Sequence, residues 1–166
     1  MQSEKSPLIR LFLYLFSLAT LLLALAHPGQ AREDQAQSRS AGQVLYVPAY
    51  SHIYHGNKEK PLLLSVTLSI RNTDRDNSIT FSVIDYHDTA GKLIRHYLEA
   101  PIELGPLGST RYVVAERDTS GGSGANFVVE WKAKKPVNPP IAETVMISTQ
   151  SQLGISFTSR GVVIND

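Results

Sequence analysis

The chain has 166 residues, no cysteine, 16 basic against 15 acidic groups and a formal net charge of +1. The missing cysteines exclude disulfide staples and thiolate chemistry, so the fold must stand on its hydrophobic core. The balanced charge gives no electrostatic reason to seek nucleic acid.

Lys5 and Arg10 form a short basic start. Leu11 to Ala26, "LFLYLFSLATLLLALA", is then apolar apart from Ser17 and Thr20. A membrane span needs about 20 residues; this shorter run suits the apolar region of a signal peptide. Ala24-Leu25-Ala26 and Gly29-Gln30-Ala31 offer cleavage after Ala26 or Ala31. Residues 1–26 are therefore expected to be an export signal, with a retained N-terminal anchor as the alternative. No cysteine follows for lipid attachment, and no Arg-Arg pair precedes. Cleavage after Ala26 removes Lys5, Arg10 and Glu4, leaving 14 basic and 14 acidic groups. That neutral chain also has no evident reason to seek anionic lipid, and no membrane span is expected in it.

Residues 27–42, "HPGQAREDQAQSRSAG", carry almost no large apolar side chain and read as a disordered linker. A single domain is expected over residues 43–166. From Val44 onward short apolar runs recur between turn residues. In Leu62 to Arg71, Leu64, Val66, Leu68 and Ile70 alternate with Ser65, Thr67, Ser69 and Arg71, the period of a half-buried strand. "RNTDRDNS" (Arg71 to Ser78) is a polar turn. Its Asp74-Ser78 part resembles a calcium loop but lacks the glycine and glutamate that such a loop requires. Ile79, Phe81 and Val83 resume alternation, yet Ile84 and Tyr86 fall on the other face, so either both faces are covered or a bulge shifts the register.

"DTAGK" (Asp88 to Lys92) puts Gly91 where a hairpin loop needs positive φ. Lys92–Glu99 follows as a strand, then Thr110–Ala115, Asn126–Trp131, Thr144–Ser148, Ile155–Thr158 and a short one near Val162–Ile164. "LGPLGSTRYVV" (Leu104 to Val114) resembles a turn-into-strand pattern of immunoglobulin-like bacterial domains. Pro101, Pro106, Pro136, Pro139 and Pro140 are expected between strands, where a missing N–H costs nothing. Seven to nine short strands predict an all-β, antiparallel, immunoglobulin-like β-sandwich, with a closed or partly open barrel as the alternative.

The most distinctive stretch is "ERDTSGGSGANFVVEW", Glu116 to Trp131. It has no lysine for a phosphate loop and no helix after it. Gly121-Gly122-Ser123-Gly124 is followed by Ala125, which breaks the hydrolase-elbow spacing. Two readings remain. The loop is an ordered one tied down by Asp118, Thr119 and Ser120, or its rim contacts a ligand or partner through Arg117, Asp118, Ser120 and Asn126. Tyr54 joins these as a contact candidate from "YSHIYH".

That segment also offers His52 and His55 as weak metal candidates, but strand residues three apart face opposite ways; His87 or His96 would have to complete such a site. Lys132, Lys134 and Lys135 read as charges blunting a strand end and its exit loop, and Trp131, alongside Phe127 and Val129, as core.

"YVPAYSHIYHG", "LSIRNTD", "ERDTSGGSGANFVVEW", "KPVNPPIAE" and "GISFTSRG" together resemble the bacterial family catalogued as domain of unknown function 3124. The resemblance covers about Val44 to Ile164. It implies a small exported or membrane-anchored bacterial protein, with no activity and no site residue to carry over. The expected function is a periplasmic or secreted, non-enzymatic sandwich, without cofactor, that binds an envelope protein or small ligand through loops at one end. A histidine-based metal-binding protein is one alternative; the other is a hydrolase built from Asp118, Ser120 or Ser123 and a histidine.

Overall fold

The computed structural model describes residues 38–57, 59–149 and 154–165. The expected signal segment and residues 27–37 of the expected linker lie outside the described residues. Twelve strands are described: β1 (Ser40–Pro48), β2 (His52–His55), β3 (Lys60–Leu63), β4 (Ser65–Arg71), β5 (Ile79–His87), β6 (Leu93–His96), β7 (Ile102–Leu104), β8 (Ser109–Val114), β9 (Asn126–Val137), β10 (Ile141–Ser148), β11 (Ile155–Arg160) and β12 (Val162–Asn165).

One sheet runs β12-β1-β9-β5-β6, with β7 also paired to β5; the second runs β11-β10-β4-β8; β2 and β3 form a separate ribbon. Every pairing is antiparallel. Neither large sheet closes on itself, so the architecture is a sandwich and not a barrel.

Period-two patterning builds the interior. Leu64, Val66, Leu68 and Ile70 are all fully buried, and they share one core cluster with Ile79, Phe81, Ile84, Tyr86, Phe127, Val129 and Trp131 of the facing sheet. Each such side chain contributes on the order of 1.5–3 kcal/mol on burial. The broken alternation of β5 has a single cause: its register against β9 shifts between Phe81 and Val83. This bulge turns Ile84 and Tyr86 back to the same core as Ile79 and Phe81.

β4 pairs β8 in one sheet while β5 pairs β9 in the other. These interlocked pairs are the centre of an immunoglobulin-like sandwich. The flanking strands change places relative to that order: β10 lies beside β4, and β1 lies beside β9.

Twelve described strands replace the expected seven to nine, and several expected strand ends move. β1 begins at Ser40, so the last residues of the expected linker are strand. β9 runs on to Val137 instead of stopping at Trp131, and Pro136 lies inside it. It is accommodated by a large bulge: Gly42 stands opposite Lys132 and Ser40 opposite Val137, so residues 133–136 have no register partner on β1. Residues Gln37–Asp166 form one compact unit, and all its core residues lie between Leu45 and Met146. Such a unit carries what it needs to fold alone.

The sandwich has two ends of different construction. At one, the chain leaves β1, β5 and β8 and enters β4, β6 and β9. At the other it leaves β4, β7 and β9 and enters β5, β8 and β10. The second end is knitted by Asn72, 2 % exposed. Its Nδ2 donates to the carbonyls of Asn77 (2.8 Å), Leu104 (3.2 Å) and Gly105 (2.9 Å), and its Oδ1 accepts the Asp74 N–H at 3.0 Å.

Asp74 beside it accepts the N–H groups of Asp76 (3.0 Å), Asn77 (3.0 Å) and Asn138 (3.1 Å) and the Asn77 amide (2.7 Å). The Asp76 N–H first, then the Asn138 N–H and the Asn77 side chain, hold its carboxyl at about 2 against an ordinary 3.8. A depressed folded-state pKa stabilises fully above the unfolded value and is lost as pH falls through the folded one. Urea midpoints are therefore expected to fall as pH drops from about 4 toward about 2, and Asp74→Asn should flatten that limb. An unchanged acid limb in Asp74→Asn would show that Asp74 does not govern it.

Candidate functional site

Three connections meet at the first end, and the glycine-rich loop is the one clamped between the others. The Ser51 N–H and Oγ both donate to the Gly122 carbonyl at 3.0 Å. The Thr89 N–H (2.9 Å) and Oγ1 (3.0 Å) both donate to the Gly121 carbonyl, and Thr89 Oγ1 accepts the Gly124 N–H at 3.0 Å. The Ala49 N–H donates to the Ala125 carbonyl at 2.8 Å.

The glycines follow from this close approach. A Cβ at Gly121 would lie 2.0 Å from the Tyr86 hydroxyl, and one at Gly122, whose φ is +78°, would lie 2.4 Å from Thr89 Oγ1. The stretch "SGGSGA" is thus a plug over the end of the core. Gly91, in the neighbouring hairpin, has the expected positive φ of 79°. Tyr86 beneath the plug is fully buried. Burial, and then the nearby negative charge of Asp118, push its hydroxyl up to about 12.

The expected contact residues divide. Asp118 is held within the protein: its Oδ1 accepts the Ser120 hydroxyl at 2.5 Å and the Ser120 N–H at 3.2 Å, and its Oδ2 pairs with Arg95 at 3.2 Å. The Ser120 hydroxyl, ahead of the Arg95 charge, holds the Asp118 carboxyl below its usual range. Arg95 in turn donates to the Tyr97 hydroxyl at 3.2 Å, and the Tyr97 ring meets Tyr112 of β8 edge-on at 5.2 Å. Asp118 and Ser120 therefore serve a clasp that closes the open edge between β6 and β8.

Asn126 is 8 % exposed, in register between Pro48 and His87, so it is interior and not a rim contact. Arg117 and Tyr54 are exposed. Among the described residues the Arg117 guanidinium has no hydrogen-bond partner. It borders a groove of about 390 Å³ with Leu63, Ala115 and Glu116, whose Oε1 is covered and also lacks a partner. Leu63 stands opposite His52 in the β2–β3 ribbon, so the ribbon that carries Tyr54 forms one wall of this groove.

The histidines do not gather. His52 Nε2 lies 3.3 Å from the Tyr54 hydroxyl, and His96 Nδ1 lies 2.8 Å from Asp85 Oδ1. Among the described residues no three His, Cys, Asp or Glu side chains are grouped to hold a metal, so His52 and His55 do not make a centre with His87 or His96. The partner of the Ser120 hydroxyl is Asp118, with no imidazole in the pair.

Sequence reasoning missed Ser51 and Thr89, the two residues that fix the loop. Their partners are 71 and 32 residues away, beyond the reach of local pattern. β9 carries Lys134 and Lys135 to the end opposite the glycine loop.

The family model described as Protein of unknown function (DUF3124) matches residues 42–164. The chain belongs to the DUF3124 family. No curated protein matches this DUF3124 chain. Among solved structures, one titled as the crystal structure of Thermotoga maritima 1070 is similar at 12 % identity and a TM-score of 0.44, covering 72 % of this chain and 92 % of that one.

Proposed function

We propose that this DUF3124 protein is an exported, non-enzymatic binding module of the bacterial envelope that grips another envelope protein with its glycine-loop end. The observation that carries this reading is the cross-bonded rim. Ser51, Thr89, Gly121 and Gly122 fix the end, and Arg117 and Tyr54, the latter beside His52, stand exposed upon it. A rigid platform bearing an arginine and a tyrosine beside a shallow groove has the make-up of a protein-binding hot spot. The groove is open rather than enclosing, which favours a macromolecular partner over a small ligand. The Asp118–Ser120 pair holds no imidazole, which favours binding over nucleophilic catalysis.

Export is supported by the sequence of residues 1–26 alone. Mass determination of the protein from the cell envelope is expected to give an N-terminus after Ala26 or Ala31; an intact Met1 in soluble cytoplasm would end the assignment. Arg117→Ala and Tyr54→Ala are exposed truncations expected to change stability by no more than about 0.5 kcal/mol. Each should weaken capture of the envelope partner by about tenfold or more. The double variant retaining full capture would remove these residues from the site.

A further inference from the structure

The opposite end of the sandwich carries a basic surface and one outward-pointing leucine. Leu107 is 66 % exposed, and its φ is +57°. The Gly108 N–H donates to the Gly105 carbonyl at 2.9 Å, which makes Gly105-Pro106-Leu107-Gly108 a turn with Leu107 at the third position. Proline second and positive φ third are the marks of a type II turn, whose third place ordinarily goes to glycine. Here a leucine holds the strained place and points to solvent, while glycine occupies the next. The Leu107 N–H donates to the Asp74 carbonyl at 3.1 Å, so the Asn72–Asp74 network fixes the tip.

At this end of the sandwich stand the exposed cations Arg39, Arg71, Arg75, Arg111, Lys134 and Lys135. Arg71 stands opposite Ser109, Arg111 opposite Ser69, and Asn138, just past Lys134 and Lys135, donates its N–H to Asp74 at 3.1 Å. Lys132 is paired with Glu130 at 3.2 Å and Arg160 stands opposite Glu143, so neither adds to the excess. Among the described residues, the exposed acids Asp76 and Glu103 stand against the six. These two share with Lys134 and Lys135 a groove of about 600 Å³, beside the part of β9 that runs past the start of β5. Near-neutrality of the whole chain thus conceals a polarised surface.

We infer that this end docks on a bilayer surface rich in anionic phospholipid, with Leu107 entering the headgroup layer and the arginines and lysines meeting phosphates. One observation selects a membrane over an acidic protein: an exposed apolar side chain, fixed in a turn at the same end as the basic residues, is the combination that peripheral membrane binding uses.

The test is co-sedimentation of residues 37–166 with vesicles of phosphatidylcholine alone or mixed with phosphatidylglycerol. Binding is expected only to the mixed vesicles and should fall as salt is raised. Lys134→Glu with Lys135→Glu should weaken it at least tenfold. Leu107→Gly should weaken it by a similar factor while leaving Tm equal or higher, because glycine accepts the positive φ. That split between stability and binding is one that a merely structural leucine would not produce. Equal sedimentation with both vesicle types, or none with either, overturns the proposal. So does full binding by Leu107→Gly. If soluble polyglutamate binds as well as the mixed vesicles do, and Leu107→Gly leaves that binding unchanged, the end is a site for an acidic protein and the membrane assignment fails.

Discussion

Gly121→Ala is expected to lower the free energy of unfolding by about 3 kcal/mol, at the upper end of what overpacking usually costs. The added Cβ would meet the Tyr86 hydroxyl at 2.0 Å and both Tyr86 Cζ and the Ala125 Cβ at 2.7 Å. Tyr86 cannot swing aside: it is fully buried, and its ring is tilted against Phe127 at 4.9 Å. The loop cannot lift either without breaking the bonds from Thr89 and Ser51 to Gly121 and Gly122. Gly105, whose Cβ would meet nothing within 4 Å, is the control; Gly105→Ala should stay within about 0.5 kcal/mol of the parent.

Tyr86→Phe removes the nearest contact, so the double variant Gly121→Ala/Tyr86→Phe should recover on the order of 1 kcal/mol through coupling. Urea unfolding of the four proteins measures all of this. A cost below about 1 kcal/mol for Gly121→Ala would mean that the loop is not packed as described.

Asn72→Ala is expected to cost about as much, roughly 3 kcal/mol, at the other end. One amide there serves the carbonyls of Asn77, Leu104 and Gly105 and accepts the Asp74 N–H. Alanine leaves these groups without their donor or acceptor in a place only 2 % exposed. Asn72→Asp keeps the shape but turns an oxygen toward three carbonyls, so it should be at least as damaging, and more so above the carboxyl pKa than below it. Equal stability of Asn72→Ala and the parent in urea would show that solvent reaches these carbonyls. Loss of this hub should also loosen the Leu107 turn, because Asp74 holds both.

How much of this was legible in the chain depends on sequence distance. Leu64, Val66, Leu68 and Ile70 announced their strand because burial on one sheet face leaves a local period of two. The bulge in β5 was visible as a slip in the same period, and Gly91 as a hairpin glycine. Asn72 was not visible as a hub: an asparagine among Asp and Ser reads as a turn former, and only the return of β7 and β8 gives it its carbonyls.

Asn126 misled in the opposite sense. At the start of a strand just past three glycines it reads as a rim contact, yet β1 and β5 flank it and bury it. Asp118 and Ser120 were recognised as polar loop residues, but their commitment to Arg95 needs β6 to lie beside the loop. Leu107 had a local signal that went unread: in "GPLG" the proline sets a turn whose next place ordinarily favours glycine. The lysines of β9 looked like an exit loop because a proline follows them, and the bulge that tolerates Pro136 depends on β1.

The central claim is that the glycine-loop end is a fixed platform on which Arg117 and Tyr54 meet a protein of the envelope. A photo-cross-linking amino acid placed at position 54 in living cells tests it most directly, with a second probe at position 156 on the outer face of β11 as reference. The expected result is a discrete adduct from position 54 that disappears when Arg117 is replaced by glutamate and has no counterpart from position 156. No adduct at 54, or the same adducts from both positions regardless of Arg117, would contradict the account.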